Sequence, residues 1–241
     1  MKRFLAAVLM LTVAVTGLIF TGCEDKSNNI KETEPTVDIQ SFSDSTEILQ
    51  SYFDSFVEGD CPVYGTWKIK GFDYLSFIFR NDNLAQLAMD SEGDFATFDI
   101  DEKNKTLETS FFIGLSGEYK YELSDNDKTL TLTQGDSRVI LEKQKNHNFI
   151  PKAPKKPKID KDILGWWKCK DGLIYYFGKD GIMYSNLISS ETCYTYNAQN
   201  GKIDAVYKYG GEDIQTDLEY SYKNGKLKIN GNTYKRFQIE N

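Results

Sequence analysis

The chain has 241 residues, with 29 Lys or Arg against 36 Asp or Glu, a formal charge of −7 and a pI near 4.9. That acidic balance lacks the basic footprint of a nucleic-acid binder, so no nucleic-acid partner is expected. One histidine and four cysteines exclude a His-rich metal site and a His-based triad, and no metal or other cofactor is expected.

The chain opens on Met1-Lys2-Arg3, followed by an apolar run from Phe4 to Phe20 broken only by two Thr and one Gly. A run of this length is at the lower limit for a permanent membrane span. A charged start, an apolar middle and small residues before a cut site describe an export signal, here residues 1–22. Phe20-Thr21-Gly22-Cys23 resembles the lipobox of bacterial lipoproteins, with Phe where that family usually has Leu. The resemblance implies that Cys23 receives the lipid and that the protein sits on the extracytoplasmic face of a bacterial cell membrane as its lipid-anchored partner. Cleavage there removes two basic residues and no acids, moving the formal charge from −7 to −9. Residues 23–41 are polar and read as a flexible tether.

A helix is expected next. Asp44 with Glu47 forms a capping box, Ile48, Leu49, Tyr52, Phe53, Phe56 and Val57 make one apolar stripe, and Gly59 is a stop signal. The helix should cover one end of the β-structure that follows, and the two together make a first domain over residues 42–148. Turn chemistry recurs about every ten residues, at Asn81-Asp82-Asn83, Ser91-Glu92-Gly93-Asp94, Lys103-Asn104, Ser116-Gly117, Asp125-Asn126-Asp127 and Gly135-Asp136, between short alternating strands. Trp67, Ile69, Phe77, Phe79, Phe98, Ile100, Phe111, Ile113, Leu130, Leu132, Val139 and Leu141 should form a dry core. His147, between Asn146 and Asn148, reads as a solvated loop residue.

Residues 149–163 form a linker. Pro151, Pro154 and Pro157 alternate with Lys152, Lys155, Lys156 and Lys158, which favours an extended, semi-rigid spacer. Its lysines are expected to be solvated, with contact to anionic lipid as the alternative. A last domain over residues 164–241 carries turn signals at Lys170-Asp171-Gly172, Lys179-Asp180-Gly181, Asn200-Gly201, Gly210-Gly211, Lys223-Asn224-Gly225 and Asn230-Gly231-Asn232. Asn-Gly pairs supply the positive φ that two-residue hairpins need. Cys61, Cys169 and Cys193 are expected to be unpaired small hydrophobes, with a Cys169–Cys193 bridge left open.

The two domains share a pattern. Gly65-Thr66-Trp67-Lys68 answers Gly165-Trp166-Trp167-Lys168, and the segment 77–83 answers 175–181. Phe98 and Ile100 answer Tyr194 and Tyr196; Tyr119, Tyr121 and Leu123 answer Leu218, Tyr220 and Tyr222; Leu130 and Leu132 answer Leu227 and Ile229. The spacing leaves room for about eight strands per copy, and meanders of that size tend to close. The fold class expected is all-β: two tandem small antiparallel up-and-down barrels with one N-terminal helix. Gly-x-Trp at the start of the first strand resembles the lipocalin superfamily. That resemblance implies a Trp closing one barrel end beneath a basic side chain of the last strand, here Lys143 or Arg236. Such short barrels should be packed solid.

The second copy is rich in tyrosine. Tyr194/Tyr196, Tyr207/Tyr209 and Tyr220/Tyr222 are pairs at spacing two, each on one face of a strand. Trp166, Trp167, Tyr175 and Tyr184 join them as candidate binding residues. Buried hydroxyls need partners, so the group should line a polar-rimmed hollow or place its rings in the core and its hydroxyls at the rim. Gly165-Trp166-Trp167-Lys168 through Tyr175-Tyr176-Phe177 to Lys179-Asp180-Gly181 also resembles one choline-binding, cell-wall-binding repeat, which implies an aromatic pocket for a quaternary ammonium group. Acid pairs such as Asp99/Asp101 and Glu212/Asp213 fall near turns, and nucleophile motif, phosphate loop and metal cluster are all lacking. A non-catalytic binding or interaction module is expected, for a small-molecule, glycan or cell-wall ligand. Its alternative is a structural or protein-partner role with dry barrels.

Overall fold

The structure, a computed structural model, describes residues 45–71, 75–111, 115–187 and 190–238. The export signal, Cys23, the tether, Asp44 and Ile113 lie outside the described residues. One helix, α1 (Ser45–Ser55), precedes eight strands: β1 (Gly65–Ile69), β2 (Ser76–Phe79), β3 (Leu84–Met89), β4 (Glu92–Asp101), β5 (Thr106–Ser110), β6 (Ser116–Ser124), β7 (Thr129–Gln134) and β8 (Ser137–Lys143). Eight more follow the linker: β9 (Gly165–Cys169), β10 (Ile174–Phe177), β11 (Ile182–Leu187), β12 (Ser190–Gln199), β13 (Lys202–Tyr209), β14 (Glu212–Lys223), β15 (Lys226–Ile229) and β16 (Asn232–Arg236). Among the described residues no helix is long and apolar enough to cross a membrane.

The chain is mostly β and its ladders are antiparallel. Strands β9 to β16 pair in chain order and β16 returns to β9 through Tyr234↔Cys169 and Arg236↔Trp167, giving a closed eight-stranded barrel. In the other eight strands neighbours likewise pair in chain order, and β8 meets β1 through Trp67↔Lys143. Every segment pair that matches between the two halves of the sequence falls in strands of the same rank, β1 with β9 through β7 with β15. The hairpins close where Asn-Gly pairs supply left-handed backbone. Asn200 and Gly201, at φ 55° and 80°, join β12 to β13.

Alternation decides what is buried. Trp67, Phe77, Phe79, Phe98, Phe111, Leu130, Leu132 and Leu141 fill the β1–β8 interior, with Ile69, Ile100 and Val139 packed against them. Trp167, Phe177, Met183, Tyr196, Ile203 and Leu227 fill the β9–β16 interior. The surroundings of Trp67 and Trp167 are alike. Trp67 Nε1 donates to the Val63 carbonyl at 2.7 Å and lies 5.2 Å below Lys143 Nζ. Trp167 Nε1 donates to the Ile163 carbonyl at 2.6 Å and lies 4.4 Å below the Arg236 guanidinium. Both basic residues named from the sequence take this part, one in each strand set.

Three features depart from the sequence reading. The turn expected over Ser91–Asp94 is shifted: the hairpin loop is Asp90 and Ser91, with Asp90 at φ 52°, and β4 starts at Glu92. Helix α1 does not cap the first strand set. Its Leu49 and Phe53 enter a third apolar cluster with Ile78 and Ala88 on one side and Trp166, Tyr176, Ile182, Tyr184 and Cys193 on the other, so the helix covers the join between the two strand sets. His147 is not solvated. Its Nε2 lies 2.6 Å from the Asp90 carbonyl, its Nδ1 3.3 Å from Ser76 Oγ, and its ring meets Phe149 edge-on. All three cysteines among the described residues are buried and free. Cys169 packs in the barrel interior and Cys193 at the join, so alternation along the strands sends their thiols to opposite sides of the barrel wall.

Candidate functional site

The join is a continuation of sheet. Glu92, Gly93 and Asp94 of β4 pair with Thr192, Glu191 and Ser190 of β12. The β12–β13 ladder begins only at Thr195↔Val206, and the tip of β4 occupies the gap beyond it. Ser91 N donates to the Lys208 carbonyl at 3.2 Å, Lys208 N to Ser91 Oγ at 2.6 Å, and Gly211 N to Asp90 Oδ2 at 2.6 Å. A strand of the first set thus forms part of the wall of the second. Gly93 suits that close approach, since a Cβ would stand 3.1 Å from both the Phe149 ring and the Gln86 amide and they would have to give way.

Beneath the seam lies a buried ionic network. Glu191, wholly buried, accepts from Arg80 Nη1 at 2.8 Å, Gln86 Nε2 at 2.6 Å and Tyr184 Oη at 2.9 Å. Arg80 also donates to both oxygens of Asp82, at 3.1 and 2.8 Å, and its guanidinium sits 3.6 Å from the Phe56 ring centroid. Tyr52 Oη lies 3.1 Å from Tyr184 Oη. Burial works against the Arg80 charge, but Glu191 and Asp82 outweigh it and hold the guanidinium ionised. Burial, then Glu191, pushes the Tyr184 phenol and the Cys193 thiol well up, so Cys193 is inert as a nucleophile. With Arg80 and Glu191 each partnered, this network joins the halves of the molecule.

The ten aromatic candidates divide between core and rim. Trp167, Tyr175, Tyr194, Tyr196 and Tyr220 are buried in the barrel interior, while Trp166 and Tyr184 are buried in the cluster under α1. Buried hydroxyls find partners: Tyr196 donates to the Gly178 carbonyl at 2.9 Å, Tyr220 to Asp160 at 3.0 Å, and Tyr194 Oη lies 3.2 Å from Ser185 Oγ. Tyr222 is 36% exposed and lies edge-on to Trp167. Tyr207 and Tyr209 are half-buried. Trp166 and Trp167 point to opposite faces of β9, so they do not share one aromatic box.

What the structure brings together is a cluster where the tip of β4 meets the rim of the barrel. Tyr194 and Tyr207 meet edge-on at 5.4 Å between ring centroids. Glu92 stands opposite Thr192 in the β4–β12 ladder and Asp94 opposite Ser190; paired residues share a face, and Thr192 and Tyr194 lie on one face of β12. The two carboxylates therefore lie on the same face as Tyr194 and within electrostatic reach of Tyr207 and Tyr209. Burial, then Asp94, pushes the Glu92 carboxyl up to about 7, and burial raises Asp94. The Tyr207 phenol is raised by burial and then by Glu92, and the Tyr209 phenol by burial and then by Asp94. At neutral pH this rim offers a part-protonated carboxyl, a second carboxylate, phenol hydroxyls and ring faces. Glu92 and Asp94 had read as turn residues. Their one sequence signal was alternation in register with Ala96 and Phe98. Among the described residues no group of His, Cys, Asp and Glu is placed to hold a metal ion. In comparisons with known proteins, no family model, no curated protein and no solved structure matches this chain.

Proposed function

We propose that this chain is an exported bacterial protein, lipid-anchored through Cys23 on the extracytoplasmic face, and that it works as a non-catalytic binding module. Its body is two tandem, lipocalin-like barrels derived by duplication. The like rank of the matched strands and the two Trp-under-base ends support that reading. The ligand class is a polyhydroxylated one, a saccharide or cell-wall glycan. The observation that carries it is the rim where Tyr207, Tyr209, Glu92 and Asp94 gather above the buried Tyr194. Ring faces stack on the apolar side of a sugar, while carboxyl groups exchange hydrogen bonds with its hydroxyls. Both halves contribute, so the site is complete only in the joined molecule.

The test is calorimetric titration of the chain with a panel of soluble glycans and wall fragments. A saturable heat that Tyr207→Ala and Glu92→Gln each weaken at least tenfold, with folding unchanged, supports the reading. Heat that neither substitution alters moves the site elsewhere, and release of new reducing ends would make the protein an enzyme. The solid packing of both interiors, with Trp67, Trp167 and Tyr196 essentially inaccessible, favours a second reading of dry barrels serving a protein partner. A folded chain that binds none of the panel would support that one.

A further inference from the structure

The linker is a strap laid along the barrel, not a free spacer. Lys158 N donates to Asn197 Oδ1 at 2.8 Å, Ala198 N to the Lys158 carbonyl at 2.7 Å, and Asp160 N to the Ala198 carbonyl at 2.9 Å. Pro154 and Pro157 close over Gly181, where a Cβ would stand 2.6 and 2.7 Å from their rings. An extended Pro-rich chain repeats every three residues at about 3.1 Å each, and the burial pattern follows that period. Pro151, Pro154 and Pro157 are half-buried on one edge; Lys152, Lys155 and Lys158 are exposed on the next, and Lys156 is exposed beside them. The three lysines of the edge are therefore about 9 Å apart on a fixed ridge. None of the four makes an ion pair among the described residues. The acids nearby are engaged: Asp160 with Tyr220, Asp180 with Ser45, and Asp204 and Asp217 with Lys202.

The ridge lies beside the place where the N-terminal chain meets the barrel. Ser45 N and Oγ donate to Asp180, at 3.2 and 2.5 Å, in the same turn whose Gly181 carries Pro154 and Pro157. We propose that the Lys152–Lys158 ridge docks on an anionic lipid surface and turns the strapped side of the barrel toward the membrane, an inference that rests on the lipid-anchor reading of Cys23. The net negative charge of the chain does not oppose this, because charges beyond about 8 Å are screened at physiological salt, while a lysine at an anionic surface adds about fivefold in partitioning.

The probe is the chain from residue 23 onward bearing Cys23→Ser, so that no lipid assists, cosedimented with phosphatidylcholine vesicles with and without about 30% phosphatidylglycerol. Binding to the anionic vesicles should be at least tenfold tighter and should fall to the neutral level when Lys152, Lys155, Lys156 and Lys158 are all changed to Gln. The same change at Lys103, Lys120, Lys128 and Lys223, which removes as much charge elsewhere, should leave it within twofold. Equal loss in both sets, no preference for anionic vesicles, or equal retention by soluble polyphosphate would each overturn the proposal. The anchor is tested separately, by membrane fractionation of the full chain with Cys23 or Ser at that position in a bacterial host, so failure of either reading is recognised by itself.

Discussion

Glu191→Gln should be among the most damaging isosteric changes in the molecule. The carboxylate accepts three hydrogen bonds in a site with no exposure, from Arg80 at 2.8 Å, Gln86 at 2.6 Å and Tyr184 at 2.9 Å. An amide keeps the shape but loses one acceptor, and its NH2 then faces a donor. It also strips the buried Arg80 of one of its two counter-charges, leaving only Asp82. Removing one partner of a buried pair costs about 3–5 kcal/mol. Replacing both Arg80 and Glu191 with Leu should cost less than the two single changes summed, by at least about 2 kcal/mol. A residue of about 1–3 kcal/mol should remain for the orphaned Gln86 amide. Urea unfolding followed by far-UV circular dichroism and by Trp fluorescence reads Glu191→Gln, the two single Leu variants and the double variant. Trp67 lies in one half and Trp166 and Trp167 in the other, so coincident transitions in the native chain are expected, and the single variants should shift them together. A cost below about 1 kcal/mol for Glu191→Gln, or strict additivity in the double variant, would sink the view that this pair locks the halves together.

Three further outcomes follow from the geometry. Glu92→Gln should stabilise the protein by about 1–2 kcal/mol at pH 8 and by nothing at pH 4. The folded carboxyl is raised from 4.5 to about 7, so the native state binds the extra proton and stability falls as pH climbs through that window, with the cost reduced by partial exposure; a flat difference between pH 4 and 8 would refute it. Arg236→Ala should cost about 1–3 kcal/mol in the same unfolding assay, from ring contact and two hydrogen bonds to the Leu164 and Asp162 carbonyls, and Arg236→Lys should recover at least half, since Lys143 serves Trp67 in that way. Gly178→Ala would put a Cβ 1.7 Å from Ser45 Oγ and 2.9 Å from the Ile182 carbonyl, so α1 should exchange its amide hydrogens faster, and adding Ser45→Gly should restore part of the protection.

Interior packing was legible because alternation names a face, and antiparallel strands that pair in chain order turn one face of each inward. All eleven described residues of the expected first core lie there. The Trp-under-base arrangement was expected only from the resemblance that Gly-x-Trp carries, and the pairing of the last strand with the first is what sets Lys143 and Arg236 over those rings. What alternation cannot say is what covers the outer face. Arg80, Gln86 and Glu191 look like ordinary solvent-side residues until the other half of the molecule covers them. The Ser-Glu-Gly-Asp run has the composition of a turn, yet its last three residues pair with β3 on one side and with β12 of the other half on the other. Tyrosine content pointed to the right region, yet barrel filling drew most of the rings inward and left Tyr207, Tyr209 and Tyr222 to the rim.

Helix α1 accounts for the different residues at two positions of like rank. Arg80 and Gly178 hold the same place after β2 and β10, and Asp82 and Asp180 the same place two residues on. Both turns close alike, with Arg80 N donating to the Leu84 carbonyl at 2.9 Å and Gly178 N to the Ile182 carbonyl at 2.8 Å. A single helix crosses between them, and its ends are not equivalent. Its first amide groups carry partial positive charge and its last carbonyls partial negative charge. At the N-terminal end, Asp180 accepts from Ser45, and glycine at 178 makes room for the approach. Beyond the C-terminal end, Arg80 lies under Phe56, Asn81 N donates to the Phe56 carbonyl at 2.8 Å, and Asn81 Nδ2 reaches the Ser55 and Glu58 carbonyls, each at 2.8 Å. One polar helix laid across two like turns forces them apart in chemistry, to Gly-x-Asp at one end and Arg-Asn-Asp at the other. The buried Arg80 that this leaves on one side is what makes Glu191 necessary on the other.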